Sequence, residues 1–127
     1  MYDYNCELIR VVDGDTVDLN VNLGFDIWVK KRVRLYGIDA PESRTRDLEE
    51  KKMGIAATLA LKELLDDAIN FHNGTIRLES KIYERDKFGR VLGVLHLDTS
   101  TEDGTITSTV INRWMVQEGH ANKTTFD

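Results

Sequence analysis

Asp15-Thr16-Val17-Asp18-Leu19-Asn20-Val21-Asn22-Leu23 alternates without a break, with Val17, Leu19, Val21 and Leu23 on one parity and Thr16, Asp18, Asn20 and Asn22 on the other. Successive side chains of a strand point to opposite faces, so this period predicts a half-buried strand over 15–23. Asp13-Gly14 before it is a turn signal. Upstream, Leu8, Ile9, Val11 and Val12 predict a first strand over 4–12. Gly24 lies in the turn that follows, and residues 27–36 alternate again, with Val29, Val33 and Leu35 sharing a parity. Three strands joined by short turns make a meander.

The period then changes. Asp47 with Glu50 three residues on resembles a capping box. Met53, Ala56, Ala57, Ala60, Leu61, Leu64, Leu65 and Ala68 follow at helical spacing and predict a helix over 48–69 whose apolar stripe faces the core. Asn73-Gly74 ends the connection, and residues 75–83 and 91–97 read as two more strands flanking the polar turn Glu84-Arg85-Asp86-Lys87-Phe88-Gly89-Arg90. After a loop near Thr99–Gly104, a short helix is expected from Ser108 through Glu118, with Val110, Ile111, Trp114 and Met115 on one side and Gly119 as its stop. The order β-β-β-α-β-β-α is mainly β with helices. Five strands with a helix between the third and fourth fit an OB-type barrel.

Composition bounds the rest. A chain of 127 residues with 41% hydrophobic and 31% charged residues fits one globular domain spanning 1–127. No apolar run reaches the ~18 residues of a membrane span, so no membrane partner is expected. The start lacks a basic segment followed by an apolar one, so an intracellular protein is expected, with secretion only if a leader has been removed. A monomer is the default expectation, with nothing in the sequence to decide oligomeric state. Cys6 is the sole cysteine, which excludes an internal disulfide and a thiolate metal cluster and suggests a small buried hydrophobe. His72, His96 and His120 show no ligand spacing. A net charge of −5 and a pI near 5.2 argue against a protein that coats nucleic acid by bulk charge. They leave room for a locally cationic pocket, and the basic residues do cluster: Lys30, Lys31, Arg32 and Arg34, then Arg44 and Arg46, then Arg85, Lys87 and Arg90.

In an antiparallel hairpin the start of one strand lies beside the end of the next, so Asp15 and Asp39 should meet at one end of the sheet, with Glu42 close by. Three converging carboxylates repel one another, and a hard divalent cation such as Ca²⁺ or Mg²⁺ resolves this with oxygen ligands. The plain alternative is a pair of turn residues bonding local backbone. Arg34 and Arg90 shift the balance. Phosphodiester cleavage gathers negative charge at phosphorus, which guanidinium N–H pairs answer. A metal answers it from another side and orients water, and a carboxylate placed against that water takes its proton. For the arginines the plain alternative is a solvated face with surface ion pairs.

At these residues the sequence resembles the staphylococcal nuclease family. The matching stretches are Asp13-Gly14-Asp15-Thr16-Val17, Arg34-Leu35 with Gly37-Ile38-Asp39-Ala40-Pro41-Glu42, Asp86-Lys87-Phe88-Gly89-Arg90 and Val116-Gln117-Glu118-Gly119-His120-Ala121. The resemblance runs over roughly residues 5–125. It implies a five-stranded OB-fold barrel and a Ca²⁺-dependent nuclease acting on DNA or RNA and leaving 3′-phosphate and 5′-hydroxyl ends. It implies Asp15, Asp39 and the Ala40 backbone carbonyl as metal ligands, Glu42 as general base, and Arg34 and Arg90 as phosphate-binding arginines. Lys87 and Phe88 fall at substrate-contacting positions.

There are departures from the family pattern. Ala40 stands where a threonine is usual, and Phe88 where a tyrosine is. The family's third, C-terminal helix is expected to be lacking, and Thr125 and Asp127 stand at the positions of two substrate-contacting tyrosines. Tyr36, Tyr83 and Phe88 are candidates to stack on bases, or equally to pack at the core or rim. The second hypothesis is a non-catalytic nucleic-acid- or protein-binding module on the same barrel, since fold alone does not fix activity.

Overall fold

The computed structural model describes residues 2–85 and 90–124, and of Tyr2 and residues 82–85 the backbone only. In chain order the elements are β1 (Tyr2–Asp13), β2 (Thr16–Asn22), β3 (Trp28–Leu35), β4 (Ile38–Asp39), α1 (Leu48–Phe71), β5 (Thr75–Arg85), β6 (Val91–Ser100), β7 (Ile106–Val110), α2 (Ile111–Gln117) and β8 (Asn122–Lys123).

The alternation quoted above folds as read. Val17, Leu19 and Val21 are buried on the inner face of β2, joined by Val33 and Leu35 of β3, Ile76 and Leu78 of β5, and Leu95 and Leu97 of β6. Leu23 departs from the expectation and is 49% exposed, because it lies past the end of β2 in a turn where Phe25 and Asp26 take left-handed backbone. The strands hydrogen-bond in the order β3-β2-β1-β5-β6, and a parallel pairing of β3 with β6 closes the ring into a five-stranded barrel. The closing register is Val33↔Val91, Arg34↔Leu92 and Leu35↔Gly93. The long β1 serves two neighbours, pairing through Tyr2–Cys6 with β5 and through Cys6–Asp13 with β2, with register shifts in its second half. Such bulges bend a strand and let it wrap around a small barrel.

The C-terminal third differs from the expectation. Residues 106–110 form an extra strand, β7, along the far half of β6 (His96↔Val110 to Ser100↔Ile106), and α2 begins only at Ile111. Ile106, Thr107, Thr109 and Val110 are β-branched and favour extended backbone. Val110 still has extended backbone at the cap position and gives no side-chain cap, so no local signal marks the switch.

Helix α1 starts where Asp47 predicts. Its carboxylate accepts from the Glu49 and Glu50 N–H groups at 3.0 and 3.3 Å. Its buried face consists of Gly54, Ala57, Leu61, Leu65 and Ala68, while Met53 and Ala56, expected on the stripe, are exposed. The face turns on Gly54 because the helix approaches backbone there rather than side chains. A Cβ at Gly54 would overlap the Glu42 carbonyl oxygen and lie 2.6 Å from the Ser43 nitrogen. One turn on, Ala57 occupies the space a Cβ at Gly14 would need, at 2.7 Å, with the Ala40 Cβ at 3.0 Å. The helix therefore seats both the β1–β2 turn and the loop after β4.

Helix α2 is held to the closing seam by one side chain. Asn112 is buried; its amide donates to the Tyr36 carbonyl at 2.8 Å and the Gly93 carbonyl at 3.2 Å, and its oxygen accepts from the Leu95 N–H at 3.0 Å. Burial also explains Cys6, whose thiol is pushed up to about 11 and is unreactive at neutral pH.

Two outcomes follow from this packing. Asn112→Ala strands the Leu95 N–H and two carbonyls at the seam, and urea denaturation should show a loss of roughly 2–4 kcal/mol. An unchanged midpoint would mean the amide is not holding the seam. Gly54→Ala ordinarily gains about 1 kcal/mol in a helix. Here the added methyl must displace Glu42 and Ser43, so stability should instead fall by roughly 1–3 kcal/mol. Amide resonances of Glu42 and Ser43 should move, and a stabilised variant with those resonances in place would contradict the packing.

Candidate active site

Arg34 stands on β3 opposite Thr16, where the β1–β2 turn, the end of β3 and the closing strand β6 come together. The turn is tied to β3 through the Leu35 N–H, which donates to the Asp15 carbonyl at 2.7 Å. This fixes Asp15 beside Arg34 as the hairpin register predicts. The Arg34 guanidinium reaches Asp15 Oδ2 at 3.2 Å and Asp39 Oδ1 at 3.0 Å, and it donates to the Ile38 carbonyl at 2.9 Å and the Leu35 carbonyl at 3.2 Å. Asp15 is buried, and its remaining acceptor capacity is met by the Ala40 N–H at 2.8 Å and the Thr16 hydroxyl at 2.9 Å. The Asp39 side chain is 69% exposed. One carboxylate is thus locked by three groups, Arg34, Thr16 and the Ala40 N–H, while the other faces solvent and shares the same guanidinium.

The loop carrying Glu42 is pinned on both flanks. Ala40 is held by Asp15, and the Ser43 hydroxyl donates to Asp13 Oδ1 at 2.6 Å. With Gly54 against the backbone of Glu42 and Ser43, little freedom remains for the chain at Glu42. Its side chain is exposed. The expectation that Asp15, Asp39 and Glu42 converge needs correction. Only the two aspartates meet, through Arg34, and among the described residues no three His, Cys, Asp or Glu side chains are grouped closely enough to hold a metal ion. The Arg34 guanidinium bridges the two aspartates.

Arg90 precedes β6 at the point where Val91 pairs with Val33, so its backbone lies next to the Arg32–Arg34 stretch of β3. Its side chain helps line a cleft of about 590 Å³, together with Val12, Asp13, Thr16, Lys30, Lys31, Arg32, Arg44 and Val91. Lys87 and Phe88 lie outside the described residues. Tyr36 lies elsewhere: its ring sits 5.2 Å from the Lys81 ammonium, and the residue lines a hollow under α2 with Gly37, Val110, Arg113 and Lys123. The histidines are remote from Arg34; His96 bonds Glu79 at 3.2 Å, and His120 lies against Trp114.

Sequence reasoning passed over Thr16, Ser43 and Gly54, which act through Asp15, Asp13 and the backbone of Glu42. Thr16 and Ser43 each follow directly on a candidate acid, the one legible hint. Beside the cleft, Asp18 accepts from Arg32 at 2.8 and 3.1 Å and from Arg10 at 3.2 Å. The Arg32 fork holds the Asp18 carboxyl below the usual carboxylate range, and Asp18 in turn raises Arg32.

With this geometry in view, comparison with known proteins is informative. A micrococcal nuclease of Shigella flexneri is 36% identical over 94% of this chain and 58% of its own length. Protein ParB of Escherichia coli is 28% identical over 91% of this chain and 54% of its own. A thermonuclease of Staphylococcus intermedius is 35% identical over 69% of this chain and 46% of its own. The chain thus spans little more than half the length of the first two relatives. The family model described as staphylococcal nuclease homologue matches residues 32–127, the stretch that supplies Arg34, Asp39, Glu42 and Arg90, and on that match the chain belongs to the staphylococcal nuclease family.

Proposed function

We propose that this chain is a Ca²⁺-dependent nuclease that hydrolyses phosphodiester bonds of DNA or RNA and leaves 3′-phosphate and 5′-hydroxyl ends. The observation that carries the reading is Arg34, oriented by Asp15, Asp39 and two carbonyls next to the cleft that Arg90 lines, with an exposed Glu42 on the pinned loop that follows Asp39. The nuclease names of two relatives support it.

Arg34 and Arg90 would bind the non-bridging oxygens of the scissile phosphate, with N–H donors aimed where charge grows. Glu42 would accept a proton from the attacking water as the new P–O bond forms. The bond from phosphorus to the 5′ oxygen breaks, and that oxygen leaves and is protonated from solvent. The phosphate stays on the 3′ oxygen. Asp15, Asp39 and the Ala40 carbonyl form a hard-oxygen set that suits Ca²⁺, and the two carboxylates already share one positive group. An ion held there would supply positive charge to the scissile phosphate and a site for water. A non-catalytic binding module is the second reading. The name ParB does not itself denote a nuclease, and the cationic cleft would serve binding without turnover.

Degradation of denatured DNA should appear in calcium and vanish with excess chelator. Glu42→Gln should lower turnover by roughly 10²- to 10⁴-fold, and Arg90→Ala by at least about 10²-fold, both with unchanged circular dichroism. Full activity in either variant would overturn the assignment of roles, and activity indifferent to chelator would overturn the metal dependence.

A further inference from the structure

Five cations, Lys30, Lys31, Arg32, Arg44 and Arg90, line one cleft in a chain whose 22 acidic residues outnumber 17 basic ones. Among the described residues the acid in the cleft is Asp13, and its Oδ1 already accepts from Ser43. The neighbouring Asp18 is engaged by Arg32 and Arg10. The cleft is therefore locally positive in an overall negative molecule, an arrangement that concentrates a polyanion at one place. The Arg32 guanidinium is held in position by Asp18, whereas Lys30, Lys31 and Arg44 are exposed. Among the described residues the lining has no aromatic side chain, and its apolar part is Val12 and Val91. The described part of this surface, cationic and aliphatic, suits backbone phosphates rather than base stacking.

We infer that this cleft is the track for the phosphodiester backbone of the substrate strand beyond the scissile phosphate, with Lys30, Lys31 and Arg44 as its sequence-independent contacts. The inference rests on the nuclease reading and adds a strand-binding site to it. β3 carries Lys30, Arg32 and Arg34 on one parity. From Lys30 to Arg34 it rises about 13 Å at ~3.3 Å per residue, so the cleft extends well past the phosphate that Arg34 would hold. Because the contacts go to phosphate charge, binding is indifferent to base identity and weakens steeply with salt.

The test is fluorescence anisotropy with a labelled single strand of about 15 thymidylates, in chelator so that the strand stays whole, between about 50 and 200 mM salt. The triple variant Lys30→Gln/Lys31→Gln/Arg44→Gln should bind roughly tenfold more weakly at the low-salt end. Its slope of log affinity against log salt should be shallower by about 2, at ~0.7 per lost single-strand contact. Lys62→Gln, on the exposed side of α1, should keep the parent slope. The three substitutions are at exposed positions, and an unchanged thermal midpoint confirms folding. A triple variant with the parent's affinity and slope overturns the inference even if the parent cleaves. A parent that binds with the expected slope but cleaves in no ion overturns the nuclease reading and leaves the track standing. Displacement of the strand by equimolar inorganic phosphate would reduce the cleft to a general anion site and overturn the inference, as would a parent that binds no strand.

Discussion

The parallel ladder between β3 and β6 involves only Val33, Arg34 and Leu35 against Val91, Leu92 and Gly93, yet the site depends on it. Without that contact β3 would be a free sheet edge, and Arg90 would have no reason to lie near Arg34, 56 positions earlier in the sequence. Closing a five-stranded sheet bends every strand, and the register shifts in β1 supply part of that bend. The closure is reinforced where it is shortest, since Asn112 bonds the Tyr36 and Gly93 carbonyls and the Leu95 N–H on both sides of the seam. Fold stability and the juxtaposition of the two arginines therefore rest on the same few residues.

Charge is distributed to match. A buried carboxylate such as Asp15 is tolerable only when paired and fully hydrogen-bonded. Arg34, Thr16 and the Ala40 N–H meet that condition together. The result is a rigid acidic residue beside an exposed one, Asp39, joined through a guanidinium that a phosphate oxygen could also engage. The surrounding acids Asp13 and Asp18 are each committed to a neighbour, Ser43 and Arg32, and Lys30, Lys31 and Arg44 are exposed. Overall acidity and local affinity for a polyanion are compatible because the Debye length near physiological salt, about 8 Å, screens the distant acids.

How much of this was legible in the sequence follows from where the signals are local. The β2 alternation, the Asp47 cap and the meeting of Asp15 with Asp39 were all readable, because period, capping chemistry and hairpin register each act over a few residues. β7 was not, because Ile106–Val110 is only five residues long and runs straight into α2, with no side-chain cap to mark where strand gives way to helix. The buried face of α1 was read one position off at Met53 and Ala56, because apolar side chains mark packing against side chains, whereas Gly54 packs against backbone. The convergence of Glu42 with the two aspartates failed for a related reason. The sequence places the carboxylates at one end of the sheet but fixes neither their spacing nor the bridging of the two aspartates by Arg34.

That last difference bears on how the site is built. Glu42 stands apart from the Asp15–Arg34–Asp39 group, and what fixes its backbone is the absence of side chains around it: Gly54 under its carbonyl, and Gly14 and Ala40 against Ala57. Small residues at three crossings let α1 press both loops toward the barrel, and Ser43 then clips the second loop to the first. Effective proton transfer requires the base within hydrogen-bond reach of its water, and displacements of an ångström cost orders of magnitude in rate. A base carried on a loop gains that precision only if its supports are rigid. Here the support is a 24-residue helix that meets the two loops through Gly54 and Ala57. The helix that reads in sequence as simple core is thus the part that sets the position of Glu42.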